Sequence, residues 1–508
     1  MKRKWLAVGI ILLFVGTCVV PTMAQNTERS QPSRGNWLYV GGSGPGNYTK
    51  IQDAIDNASD GDTVYVYAGL YIELVTINHS INLIGEDKNT TIVDGNNPPY
   101  PKNTVTITKD DVFVTNFTIQ NGHFAGIMIS SSNNKIVNNI ITGSGCGIYF
   151  SVDFIKLKDN IIRDNQIINN GGCIHTHDTI NTIISYNIFK NSNVGFDLAE
   201  HNNIISNNLF ENVSDSEVWD SDCSIENNVF ISSGNIILYF ASQIKIRNNT
   251  FIDSQGIKIL GNNKNHWDTH TIENNSIDGK PIYYYKHASG IIVPSDAAEV
   301  ILVGCTNCVI TNILFPEGKG IQLAYSSNNT ISGNTIKKTT TMEQSGIYLE
   351  DSLNNNLSYN SITDCEYGIT LYNSSNNCIY RNNIKNNIQD GILCYGNSNT
   401  LIENHIADNG VGMELMWTSD TIIKNNNFVN NRFQASFSIG FWSKHSNKWQ
   451  SNFYSPQIPR IIKIIIGAVR TPFYFMVGEY PQYRQYIWRP GINIDWHPAQ
   501  EPYDIGVI

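Results

Sequence analysis

Charge is scarce in this chain: Asp, Glu, Lys and Arg make up 15% of its 508 residues, well under the roughly one-quarter share of an ordinary soluble domain. Asn, Ser and Thr must then carry the surface polarity, a bias that favours turns and β structure. Basic residues are outnumbered by acidic ones, 34 against 44, for a net charge of −10. That balance excludes the basic face a nucleic-acid partner needs and suits neutral sugars or cationic ligands better. Proline at 16 and glycine at 39 residues are too few for collagen or a low-complexity linker, and 41% apolar residues supply a large core, so wholesale disorder is excluded as well. With nine cysteines in all, a dense disulfide scaffold is excluded too.

Long hydrophobic runs are also missing beyond the N-terminus. Lys2, Arg3 and Lys4 precede an apolar stretch from Trp5 to Val20, and Thr22, Met23 and Ala24 supply small residues before Gln25. This is the pattern of an export signal over residues 1–24, the alternative being a retained anchor. The next candidate, Ile458 to Val477, carries Arg460, Lys463 and Arg470, so it reads as a buried or interfacial element. Asn-x-Ser/Thr sequons at Asn47, Asn116, Asn212, Asn356 and Asn373 could be glycosylated on an exported chain.

What the chain has in abundance is a repeat. An Asn-x-apolar anchor recurs at Asn139, Asn165, Asn187, Asn208, Asn228, Asn249, Asn275, Asn312, Asn334, Asn360, Asn382, Asn404 and Asn426, usually about 22 residues apart. Between anchors a second phrase returns, as in GIMISSSNNKI, GIYLEDSLNNNL and GITLYNSSNNCI. Each apolar alternation is too short for a helix, and Asn, Ser and Gly supply the turns. A unit this small cannot bury its own apolar face, but stacked units pair every strand with its neighbour at about 4.8 Å. The expected architecture is all-β, a parallel β-helix of about 22-residue coils. Asn at equivalent places in successive coils can build a ladder of side-chain amides.

Such a stack needs caps at both ends. After strand-like Trp37 to Val40, Thr49 and Gln52 have capping-box spacing, and Ile51, Ala54, Ile55 and Ala58 make one apolar helical face, so a short helix is expected to plug the N-terminal end. The repeat stops near Asn431. The expected organisation is a signal at 1–24, a linker at 25–36, the solenoid with its cap at 37–432 and a non-repeating cap or docking module at 433–508.

The stretch NYTKIQDAIDNASDGDTVYVYAGLYIE, followed by SINLIGEDKNTTIVDG, resembles the opening of parallel β-helix repeat proteins of the NosD-like group. DGKPIYYYKHASGIIVPSDAAEVILVGCTNCVI is similar to an insertion in the same group and accounts for the long gap between Asn275 and Asn312. The resemblance covers residues 37 to about 430. It implies the right-handed pectin-lyase-like fold, a link to periplasmic copper-site maturation, and a superfamily that includes carbohydrate-binding proteins and sugar hydrolases. Its motifs are core, cap and turn residues, so it carries no catalytic assignment.

Chemistry concentrates in three consecutive coils: Cys173, His175, His177 and Asp178; then Asp197, Glu200 and His201; then Glu217, Asp220 and Asp222. Aligning GFDLAEHN with SEVWDSDC sets Asp197 beside Glu217 and Glu200 beside Asp220, about one strand spacing apart. Paired carboxylates can act on a glycoside, collect a cation, or join the imidazoles around a transition metal. Asp197, Glu200, Glu217 and Asp220 are the catalytic candidates, and His175, His177, His201, Asp222 and Trp267 the binding ones. The bland alternative is a solvated outer face. Cys305 and Cys308 read as core, since a zinc site would need a second such pair. Met413 and Met416 read as gap-fillers.

Three functions follow as expectations. A ladder of polar and aromatic outer faces suits recognition of a carbohydrate polymer or a structural role in the cell envelope. The rival is a glycoside hydrolase or polysaccharide lyase using the stacked carboxylates. A copper-handling periplasmic accessory is the third. The tail, with Asp495, His497, Glu501 and Asp504 among Pro498 and Pro502, is expected to dock onto the last coil, a protein or a membrane.

Overall fold

The computed structural model describes residues 35–96, 102–151, 156–199, 201–219, 222–316, 319–337, 345–440, 446–455, 463–477, 480–495 and 498–505. The expected signal at 1–24 lies outside the described residues, as do Glu200, Asp220 and His497. No described helix is long and apolar enough to cross a membrane. The chain forms two compact units, one ending at Gly279 and one beginning at Lys280.

In the first unit every coil contributes to parallel sheets. One sheet of 11 strands begins with Trp37–Val40 and ends with Thr271–Glu273, and a sheet of 9 runs between Val75–Ile77 and Ile257–Leu260. Strands such as Gln166–Ile168, Ile188–Ser192, Leu209–Val213 and Thr250–Ile252 make the third wall. Alternation along each strand sends every second side chain inward. On the third wall these inward side chains include Phe189, Phe210, Phe230 and Phe251, all buried, whose rings stack at 4.7, 4.7 and 4.9 Å.

The anchors form the expected ladder. From Asn139 through Asn165, Asn187, Asn208, Asn228 and Asn249 to Asn275, each Nδ2 donates to the next Oδ1 at 3.0 to 3.1 Å. Each Oδ1 also accepts the preceding anchor's backbone N–H, for example Asn187 N to Asn208 Oδ1 at 2.9 Å. The turn backbone, buried from water, is thereby satisfied. The residue before each anchor is left-handed: Asn207, Asn227, Asn248 and Asn274 have φ of 57°, 56°, 54° and 56°, a conformation Asn tolerates. This is why the sequence repeats Asn-Asn. Asn312 is the exception among the anchors: it occupies the left-handed place, with φ of 54°, and Ile313 takes the ladder position, donating its N–H to Asn334 Oδ1 at 3.0 Å.

The N-terminal helix spans Ile51–Asp56 and buries Ile51, Ala54 and Ile55, as its apolar face requires. Its cap differs from the capping-box expectation. Thr49 makes no cap; Glu73 receives Ile51 N–H at 2.9 Å and Gln52 N–H at 3.1 Å, placing a carboxylate at the positive end of the helix. Gln52 instead pairs with the backbone of Thr76 in both directions, at 2.7 and 3.1 Å. Thr76 belongs to the terminal strand of its sheet, so a side-chain amide covers part of an open edge.

The second unit repeats the plan. A 7-stranded sheet runs from Val309–Thr311 to Lys448–Gln450, and a 6-stranded sheet from Thr335–Lys337 to Phe453–Ser455. Parallel pairing therefore continues past 432, the expected end of the solenoid. Strands Lys463–Val477 and Tyr480–Asp495 then pair antiparallel. Cys305, Cys308, Cys365 and Cys394 are buried free thiols, and Met413 is buried beside them in the core, in line with the packing reading.

The ladder of this unit runs Asn334, Asn360, Asn382, Asn404, Asn426, Asn452. It ends on Asp495, which is fully buried. Asp495 Oδ2 accepts from Asn452 N at 2.9 Å and Asn452 Nδ2 at 3.1 Å, and Oδ1 from Ser451 N at 3.1 Å. Tyr503 is clasped by Asn427 through Nδ2 to its carbonyl at 2.7 Å and its N–H to Oδ1 at 2.9 Å. The tail docks on the last coils of its own unit.

Candidate functional site

The 9-stranded sheet of the first unit positions the site. Its register sets Met128, Tyr149, His175, Asp197, Glu217, Ile237 and Lys258 in one column, one residue per coil. Their strand neighbours Ile127, Ile148, Ile174, Phe196 and Val218 are buried, so the column points away from the core; it is half-buried from Met128 to Glu217 and covered at Ile237 and Lys258. Two residues further on, His177, Ala199, Trp219 and Tyr239 form a second column. Backbone bonds from Ala199 N to Thr176 O at 3.4 Å and Trp219 N to Leu198 O at 2.9 Å hold that register beyond the strands.

The two columns converge on Asp197. His175 Nδ1 lies 2.8 Å from Asp197 Oδ2, and His177 Nε2 lies 3.3 Å from the same oxygen. Asp197 Oδ1 is buried without a hydrogen-bond partner among the described residues. Tyr149 stacks on His175 at 4.6 Å and His175 on His177 at 4.1 Å, with interplanar angles of 9° and 13°. Phe124 meets the edge of Tyr149 at 4.7 Å. On the far side of Asp197, Trp219 stacks on Tyr239 at 4.3 Å and donates its Nε1–H to Glu217 Oε2 at 3.1 Å. Ala199, between His177 and Trp219 in the second column, is half-buried and carries only a methyl group.

Charge is divided unevenly between the two carboxyls. Burial works to raise the Asp197 pKa, but hydrogen bonds from His175 and His177 outweigh it and hold the group well below the usual carboxylate range. Burial raises Glu217, the Trp219 bond opposes that, and the charges of Asp197 and Asp215 add to the rise. Adjacent carboxyls pushed in opposite directions are what acid–base work on a glycoside requires. Cys146 lies on the same face, its Sγ bonded to Ile148 O at 3.2 Å; burial pushes its pKa up to about 12, so it is a protonated thiol at neutral pH.

Of the sequence candidates, the structure thus brings together His175, His177, Asp197 and Glu217, with Asp197 opposite Glu217 as the alignment expects. His201 and Asp222 sit at turns, exposed and half-buried, and do not join the cluster. Cys173 points inward and is fully buried. Trp267 corrects an expectation: it lies in the short helix Asn265–Asp268 and is fully buried, so its indole packs inside and offers no face to a sugar. His270 is buried in the same segment and accepts Ile244 N–H through Nδ1 at 3.2 Å, standing at the corner where earlier coils place Asn134, Asn160 and Asn203. The aromatic residues Phe124, Tyr149, Trp219 and Tyr239 escaped the sequence reading. Setting the coils in register would have placed Tyr149 in the first outward column and Trp219 and Tyr239 in the second.

These features define a parallel β-helix repeat protein, and its hand is right-handed. Residues 103–251 match the family model for the right handed beta helix region. Residues 288–457 match that of NosD, described as a periplasmic copper-binding protein. No curated protein matches the chain. Among solved structures, similarity extends to an alginate lyase from Paenibacillus sp. str. FPU-7, at 14% identity and a TM-score of 0.29, over 62% of this chain and 99% of that one. A GH87 alpha-1,3-glucanase catalytic domain in complex with nigerose shares 12% identity at a TM-score of 0.35, over 81% and 67% of the two chains. Tailspike protein 3 of Bacteriophage CBA120 shares 10% at 0.23, over 84% and 64%.

Among the described residues of the stretch matched by the copper-binding family, no three His, Cys, Asp or Glu side chains come together to hold a metal ion, and Cys378 there is half-buried. The thiols Cys305, Cys308, Cys365 and Cys394 of that stretch and its Met413 are buried in the core. Among the described residues, the one group of His, Cys, Asp or Glu able to hold a metal is His175, His177 and Asp197, which lies outside that stretch.

Proposed function

We propose that this chain is an exported protein that binds an extended carbohydrate polymer along the outward columns of its first unit. The observation that carries the reading is the Trp219–Tyr239 stack beside Ala199. Trp219 is 40% exposed, and its neighbour on the open side is a methyl group, so one face of the indole is left for a sugar ring. The polar groups a saccharide needs for orientation, His177, Asp197 and Glu217, lie within the next coils. From Tyr149 to Tyr239 the wall spans four coil steps, about 19 Å at a strand spacing of about 4.8 Å. That is room for several sugar units in line.

In this reading residues 1–24 export the chain, and the antiparallel strands Lys463–Val477 and Tyr480–Asp495 with the tail serve as cap and docking module. The test is binding of the mature chain, from Gln25 onward, to a panel of neutral and acidic polysaccharides, with reducing-end release read in the same samples. Trp219→Ala should weaken binding at least about tenfold, the loss of roughly 1.4 kcal/mol or more, while Trp417→Ala, a still more exposed Trp of the second unit, should leave it unchanged. Equal losses in both variants, or no polymer bound at all, would overturn the reading and leave a structural envelope role. Release of reducing ends that vanishes in Glu217→Gln would make the protein a glycoside-cleaving enzyme.

A further inference from the structure

The three side chains around Asp197 have a geometry that sugar binding does not explain. Two imidazole nitrogens from one coil and a carboxylate from the next converge, and all three donor atoms lie within 4.8 Å of one another. His175 is fixed on the strand Gly172–Thr176. His177 follows in the turn, so both rings leave the same face. Asp197 is brought in by strict register with His175.

We propose that His175 Nδ1, His177 Nε2 and the Asp197 carboxylate form a mononuclear site for a divalent transition-metal ion of the zinc class. In a tetrahedral site with bonds of about 2.0–2.1 Å, neighbouring donors stand about 3.3 Å apart. His177 Nε2 already lies 3.3 Å from Asp197 Oδ2 and His175 Nδ1 2.8 Å; the two rings, stacked 4.1 Å apart at 13°, would rotate out of parallel on loading so that both nitrogens face the ion. Two ring nitrogens directed at one carboxylate oxygen, while Oδ1 is buried without a partner among the described residues, is an uneven use of a carboxylate as a plain hydrogen-bond acceptor. A cation seated among the three gives both imidazoles and the carboxylate a common partner. Two nitrogens and one oxygen select Zn(II), Co(II), Ni(II) or Cu(II) over Cu(I), since the trio contains no thiolate or thioether.

The site is open. The side chains of His175, His177 and Asp197 are 24%, 36% and 20% exposed, so three protein ligands would leave a coordination position facing solvent, as in zinc sites that handle an exogenous ligand. The site shares His177 and Asp197 with the saccharide reading but uses neither Trp219 nor Tyr239, so the two readings are tested apart.

The experiment is calorimetric titration of the chelator-treated, tag-free mature chain with Zn(II), together with visible spectroscopy of the Co(II)-loaded protein. One ion per chain is expected, with the intense d–d bands of a tetrahedral Co(II) centre. His175→Ala and His177→Ala should each weaken binding by at least about tenfold, and Glu217→Gln should keep the stoichiometry. His177 lies in a turn on the outer face, so His177→Ala should melt with the parent protein; a matching thermal melt separates loss of the site from loss of the fold. Failure to saturate at one ion, or binding indifferent to both histidine variants, would overturn the site. Either result leaves the effect of Trp219→Ala on polymer binding to be judged separately.

Discussion

Asn208 in the first unit and Asn382 in the second do the same work at nearly the same distances. Asn208 donates to Asn228 Oδ1 at 3.0 Å and Ile184 O at 2.9 Å; Asn382 donates to Asn404 Oδ1 at 3.0 Å and Leu357 O at 2.8 Å. The outward columns could hardly differ more. Where the first unit has Tyr149, His175, Asp197 and Glu217, the main wall of the second aligns Gln322, Tyr348, Thr370, Leu393, Glu414 and Ser436. Tyr348 hydrogen-bonds Glu350 there, and burial pushes Glu350 up to about 7. Asp390 is likewise pushed up to about 7 by burial and by the charge of Glu414. The lesson is a division of labour within each coil: inward and corner positions are dictated by stacking, and outward positions are free to carry chemistry.

Substitutions can break that division or sharpen it. The largest effect should come from the ladders. Asn208→Ala or Asn382→Ala strands buried backbone groups on the neighbouring coil, at about 1–3 kcal/mol for each. Each variant should therefore lose about 4 kcal/mol or more in urea unfolding followed by far-UV circular dichroism. A large difference between the two would show that the interiors are not equivalent.

Slightly smaller losses should follow from the third wall. Phe210→Ala removes one ring of the stack and should cost about 4 kcal/mol, while Ile384→Ala in the corresponding sheet of the second unit should cost about 3 kcal/mol. The same unfolding curves measure both.

A third effect belongs to the second unit alone. The folded-state carboxyls of Asp390 and Glu350 lie above their unfolded values near 4, so the folded state holds extra protons between about pH 4 and pH 7. Stability of this unit should fall as pH rises through that window. Asp390→Asn should remove part of the fall, stabilising the protein by about 2 kcal/mol at pH 8 and hardly at all at pH 4. Unfolding midpoints across the pH range test it. Least of all, Trp219→Ala should change stability by under about 0.5 kcal/mol, since the indole stands on an outward column, and that small value is what gives its expected effect on polymer binding a functional meaning.

The interior was legible in the sequence because it repeats. Asn-x-apolar spacing marks the ladder, and the left-handed residue before each anchor is often Asn or Asp, as at Asn138, Asp164, Asn207 and Asn425. The heart of the site was legible for a related reason: once coils are aligned, residues such as Asp197 and Glu217, 20 positions apart in the chain, become strand neighbours. What remained hidden depends on single departures from the repeat. Trp267 looked like a sugar platform because its segment is polar, yet a four-residue helix turns it inward. Thr49 had the spacing of a cap, but Glu73 from the following coil reaches the helix end. Asn312 matched the anchor pattern and missed it by one residue. In each case a contact between coils overrode a local pattern, and local patterns are blind to neighbours a full turn away.

Asp495 has a consequence beyond its own hydrogen bonds. An asparagine ladder has direction: every amide hands a donor forward to the next coil, so its last member would offer an N–H to any matching oxygen, including one on another molecule. A carboxylate breaks that relay. Asp495 accepts from Asn452 and Ser451 and has no proton donor to pass on when ionised. Replacing one amino group with one oxygen closes the column: Asp495, fully buried, ends the donor relay inside its own unit.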